Sequence, residues 1–100
     1  MKNNFQNIIQ EEIPVLIDFY ATWCGPCQTL APILKEVKED FGDNLKILKI
    51  DVDKNQPLTI NFQVRSVPTL ILFKTGKQVW RQSGLLSKRD LTAAIRQYGT

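Results

Sequence analysis

The chain has 100 residues, 43% of them hydrophobic and 23% charged, with 13 Lys and Arg against 10 Asp and Glu, two Cys and no His. That length and apolar content suit one domain with its own core, and they exclude collagen-like, coiled-coil and disordered classes. Without an imidazole, Ser-His and Cys-His catalysis are excluded, as is a mononuclear Cys/His zinc site within one chain. The net charge of +3 is spread along the sequence and reads as solubility, since no basic block points to nucleic acid. No apolar run approaches the ~20 residues of a membrane span. The opening MKNNFQNIIQEEIP has acids and amides where a secretory signal needs an apolar stretch, so a cytoplasmic protein is expected.

In chain order, Asn4 is expected to cap a short helix through Phe5, Ile8 and Ile9. Val15 to Ala21 (VLIDFYA) is a run of strand formers broken only by Asp18, the pattern of a strand buried on both faces. From Cys24 the period becomes helical, through Leu30, Ile33, Leu34, Val37 and Phe41, with Gly42 as the stop and Pro32 inside as a source of a kink. Leu45 to Val52 (LKILKIDV) returns to strand character, and Asn55 with Pro57 opens a short helix around Leu58 to Phe62. Thr69 to Phe73 and Gln78 to Gln82 form a hairpin about Lys74-Thr75-Gly76-Lys77. Ser87 and Asp90 resemble a capping box ahead of the stripe Leu91, Ala94, Ile95 and Tyr98. After the first short helix the order is β-α-β-α-β-β-α, an α/β chain with a parallel first half and an antiparallel second half. No repeat or linker divides it.

The chemistry lies in Trp23-Cys24-Gly25-Pro26-Cys27, where the first strand gives way to the long helix. Residues three apart in a helix have Cα atoms ~5 Å apart, within the window for a disulfide, so the sulfurs can join and part with little backbone movement. Cys24 at the helix N-terminus gains from unpaired N–H groups and the helix dipole, which makes its thiolate unusually accessible. Cys27, one turn deeper, is better placed to resolve a mixed disulfide than to start one. Pro26 stiffens the first turn without losing a needed donor. The alternative is a structural bridge or a pair of inert core thiols. Such a small loop gains little entropy from closure, and C-x-x-C beside a βαβ pattern favours redox chemistry.

DFYATWCGPC, the downstream SVPT and the Lys-Thr-Gly-Lys hairpin resemble the thioredoxin family from about Phe5 to the C-terminus, and WCGPC is highly specific to it. The resemblance implies a thioredoxin fold over residues 1–100 as a single domain, a mixed central sheet flanked by helices. Family members carry an additional strand before the first helix. Only Met1 to Asn4 precede Phe5 here, so that edge strand is expected to be missing or vestigial, leaving four strands and exposing the Leu45–Val52 edge.

Alternation puts Leu16, Asp18 and Tyr20 on one face of the first strand and Val15, Ile17 and Phe19 on the other. Burial should raise the Asp18 pKa toward neutrality. The resemblance implies that Asp18 lies behind Cys27 and exchanges its proton; a tolerated buried acid is the other reading. Lys49 matches a family Lys that tunes that acid, although by itself it reads equally as a solvated edge Lys. The chain alone would favour a trans bond at Pro68; the resemblance implies that it is cis and packed on the cysteines, with Val67 offering its backbone to an extended substrate. Trp23, Gly76 and Gly84 match positions that ring the active-site surface. Gly76 reads equally well as a turn residue, while Gly84 has the better claim, because a Gly beside the site lets a partner's backbone approach closely.

The resemblance further implies a redox-active Cys24–Cys27 disulfide that reduces disulfides in other proteins, with no cofactor or metal of its own. Disulfide-containing proteins and a separate thioredoxin reductase are the expected partners, with no nucleic acid or membrane partner and a monomeric state. An oxidase or isomerase, a binding module on the same fold, and a metal cluster shared by two chains are the alternatives. Two departures stand out: Tyr20 where many members carry Trp, and Gln28 where Lys or Arg is common.

Overall fold

The computed structural model describes residues 2–100, with side chains from Phe5 onward. Four helices and four strands alternate as α1 (Lys2–Ile9), β1 (Val15–Tyr20), α2 (Gly25–Phe41), β2 (Lys46–Asp51), α3 (Gln56–Asn61), β3 (Thr69–Lys74), β4 (Lys77–Ser83) and α4 (Lys88–Tyr98), with a single 3-10 turn at Gly42–Asn44. The element order expected from the sequence is the observed one. Asn4 lies inside α1 and not at its cap, because the helix starts earlier; its side chain falls outside the described residues.

The sheet runs β2-β1-β3-β4. α2 carries the chain across one face, so β1 and β2 pair in parallel, Val15 opposite Lys46 and Asp18 opposite Lys49. β3 returns antiparallel to β1, with Thr69 opposite Phe19 and Phe73 opposite Val15, and β4 follows β3 as a hairpin. Its turn residues Thr75 and Gly76 both have positive φ (52° and 81°), the twist that matches two right-handed strands.

Both faces of β1 are buried, as its sequence requires. On one face Leu16 packs with Leu30, Leu34 and Val37 of α2 and with Leu91 and Ile95 of α4. On the other, Val15, Ile17 and Phe19 pack with Phe5 and Ile9 of α1 and with Leu58 and Phe62 around α3. Phe5, Phe62 and Phe73 meet there with ring centroids 5.4–6.0 Å apart, two of the three pairs edge-on.

α2 begins at Cys24 and continues through Pro32 to its stop at Gly42, whose φ of 56° suits a residue without Cβ. Ser87 caps α4 by accepting the Asp90 N–H at 3.1 Å, one half of the expected box. Tyr98, expected in the buried stripe of α4, is 40% exposed, while Leu91, Ala94 and Ile95 are buried.

Candidate active site

The chain leaves the buried strand β1 after Tyr20, and the two cysteines follow there. Cys24 is the N-cap of α2, in extended conformation (φ −93°, ψ 113°), and its Sγ accepts the Cys27 N–H at 3.1 Å. Cys24 and Cys27 are joined as a disulfide, with Cα atoms 5.3 Å apart. The sulfur of Cys24 thus occupies the spot where a helix of 17 residues concentrates its unpaired donors. Any negative charge developing on that sulfur when the bridge opens meets an N–H already in place.

The pair is not openly displayed. Cys24 is 4% and Cys27 6% exposed, packed with Ala21, Tyr20, Val52 and Val67. Trp23, immediately before, is 69% exposed, and its Nε1 donates to Asp53 Oδ2 at 2.8 Å. The Asp53 N–H in turn donates to Asp51 Oδ1 at 2.9 Å. Sequence reasoning missed Asp53, because nothing local distinguishes it from the other exposed acids of the chain. Gly25 faces open space where a Cβ would stand, and Gln28, where the family often has a cation, donates from Nε2 to Thr22 O at 3.2 Å.

Beside the disulfide, the Val67–Pro68 peptide bond is cis, as the resemblance implied. The carbonyl oxygen of Val67 lies 3.7 Å from Cys24 Sγ. The bend is tied down on both sides: Thr69 Oγ1 donates to Ser66 O at 2.7 Å and lies 2.9 Å from Ser83 Oγ, and Gly84 N–H donates to Pro68 O at 2.8 Å. Gly84 has φ +93° and open space at its Cβ position. The fully buried Thr69 is a second residue that sequence reasoning missed; a Thr directly after Pro at a strand start was the available signal.

Asp18 is 2% exposed. It sits between Leu16, which packs under α2, and Tyr20, which packs on the cysteines, and therefore faces the first turns of α2. Its Oδ1 has no hydrogen-bond donor among the described residues. Burial pushes its carboxyl up from 3.8 to about 6, and the Lys49 ammonium pulls the other way. Lys49 reaches that position because the parallel register sets it opposite Asp18; its Nζ lies 5.0 Å from the Tyr20 ring centroid.

Gly76 corrects the expectation made for it. β3 runs antiparallel to β1, so the Thr75-Gly76 turn lies at the opposite end of the sheet from Cys24. There its N–H donates to Ile9 O at 2.8 Å, and a Cβ would meet the Gln10 side chain at 2.6 Å. Gly76 is a turn residue and no part of the site.

The comparisons with known proteins agree with this geometry. The family model described as Thioredoxin matches residues 1–97. The chain belongs to the thioredoxin family. It is 45% identical over 91 residues to a thioredoxin of Haemophilus influenzae, covering 91% of this chain and 85% of that one. It is 44% identical over 94 residues to a chloroplastic thioredoxin Y of Oryza sativa, covering 93% of this chain and 56% of the longer relative. The solved structure of a mutant thioredoxin from Halobacterium salinarum superposes with a TM-score of 0.88 at 40% identity, covering 98% of this chain and 85% of that one. As a member of the family the protein is a protein-disulfide oxidoreductase, and its Cys24–Cys27 pair carries thiol-disulfide exchange.

Proposed function

We propose that the protein works as a single-domain, monomeric reductant of disulfides in other proteins of a reducing cytoplasm, and that a separate thioredoxin reductase restores its dithiol. The observation that carries this reading is the Cys24–Cys27 pair at the mouth of α2, with the Val67 carbonyl beside it. Cys24 is the nucleophile. Its thiolate attacks one sulfur of the target disulfide, forming a Cys24–target bond and releasing the other target sulfur as thiolate. Cys27 then attacks Cys24 Sγ, the target leaves as its second thiolate, and the bridge closes. Two electrons pass to the target, whose two thiolates take up protons from solvent, while Cys24 has given its proton to solvent and Cys27 gives its own to Asp18.

The Cys27 proton is taken by Asp18, a buried carboxylate whose pKa of about 6 suits exchange near neutral pH. Lys49 holds that acid partly ionised by its charge. Val67 presents backbone to an extended target segment, with Pro68 beneath and Gly84 leaving room for the target's own backbone. Exposed Trp23, held by Asp53, supplies an apolar wall; Gly25 and Pro26 shape the turn between the cysteines. Reduction of insulin coupled to dithiothreitol tests the assignment: Cys24→Ser should fall to the uncatalysed rate, and a Cys24→Ser rate equal to wild type would overturn it.

A further inference from the structure

The open side of β2 combines unpaired backbone groups and an apolar groove that the redox reaction does not use, with two lysines beside them. Its Lys46 and Val52 N–H groups bond to Pro14 O and Tyr20 O at 3.0 and 2.9 Å, so the even-numbered residues direct their backbone toward β1. By the alternation of a parallel ladder, Ile47 and Lys49 direct their N–H and C=O groups outward, where no strand among the described residues covers them, whereas Asp51 O already accepts from Lys54 N–H and Asn55 Nδ2. Against this edge lies a groove of about 840 Å³ between α1, β2 and α3, with Phe5, Ile8, Leu48, Ile50 and Leu58 as its apolar lining. Lys49 and Lys54 also line it, and it includes no carboxylate. Neither lysine is in an ion pair among the described residues, in contrast to Lys46, which lies 3.6 Å from Glu11.

We propose that this edge is a docking site for an extended acidic segment of another protein, which adds a fifth strand beside β2. Outward N–H and C=O groups of Ile47 and Lys49 supply the ladder. Alternate side chains of the incoming strand then fall into the groove, where Leu48 and Ile50 require apolar groups, and onto the Lys49 side, where they require carboxylates. A second copy of this chain is the wrong occupant. The β4 edge carries Lys77 and Arg81 and no acid, and the β2 edge sets Lys46 and Lys49 against one carboxylate, the buried Asp51, so a second copy brings more like than opposite charge to this edge.

The test is an amide NMR titration of the full, oxidised protein with a short, end-blocked peptide alternating Glu and Val, and with its Lys-Val counterpart. The Glu-Val peptide should shift the Ile47 and Lys49 amides and slow their hydrogen exchange, leave Val67 and Gly84 unmoved, and bind more weakly at high salt. Lys54→Glu, a change at an exposed position, should weaken binding roughly three- to tenfold. Equal binding of the Lys-Val peptide, shifts confined to Val67 and Gly84, or the same β2 shifts appearing with protein concentration alone would each overturn the proposal.

Discussion

At the end of the sheet where β1 runs into Cys24, polar groups are buried and left short of partners: Asp18 Oδ1 finds no donor among the described residues. At the opposite end, around the β3–β4 turn, the backbone is fully engaged, with Thr75 N–H on Glu11 O at 3.3 Å and Gly76 N–H on Ile9 O at 2.8 Å. Both ends use a glycine with positive φ, Gly84 and Gly76. The first leaves open space above a cis-proline bend; the second is filled by Gln10. The contrast separates hydrogen-bonded closure of a fold from a site that keeps an acid poised to change charge, at some expense in stability.

The largest effect expected from breaking this contrast is at the closed end. Phe73→Ala empties the place of a ring packed against Phe5 and Phe62 and should cost about 3–5 kcal/mol in denaturant unfolding. The potential of the cysteine pair should stay at its wild-type value, because no contact of Phe73 reaches it. A shifted potential would show that the two ends are coupled.

Next comes Asp18. Its folded pKa of about 6 lies above the 3.8 of the free acid, so folding favours the protonated form. That contribution is complete below about pH 4 and is lost as the pH rises through 6, a loss of about 3 kcal/mol for the oxidised protein. Asp18→Asn should flatten this dependence, leave the variant more stable than wild type at pH 8, and slow insulin reduction. Urea unfolding of both proteins at pH 4 and pH 8 checks the sign.

The smallest effect compares the two glycines. Gly76→Ala and Gly84→Ala each force a side chain into a left-handed backbone and should cost about 1–2 kcal/mol apiece. Only Gly84→Ala should also raise the KM for insulin. A similar KM change in Gly76→Ala would return that residue to the site.

Much of this was legible from local patterns. The two-residue alternation of VLIDFY told that Asp18 would be buried with Leu16 and Tyr20, and the change to helical period at Cys24 placed that cysteine at a helix mouth. The cis bond at Pro68 and the role of Lys49 were reached only through the family resemblance, since neither has a local cause in the chain. Asn4 was misplaced because a helix start with several polar candidates offers no unique cap. Gly76 was misplaced because a turn glycine carries no record of which end of the sheet it closes.

The sequence by itself determined which segments are strands and helices, that the two sulfurs lie one turn apart, and that an acid is buried in the strand leading to them. These follow from backbone period and from the removal of apolar side chains from water, and both act over a few residues. Only the tertiary structure decided that Lys49 faces Asp18, that Val67 lies against Cys24, that Gly84 ties down the cis-proline bend, and that Gly76 closes the far end of the sheet. Those depend on strand order, direction and register, which are set by how distant segments share one core.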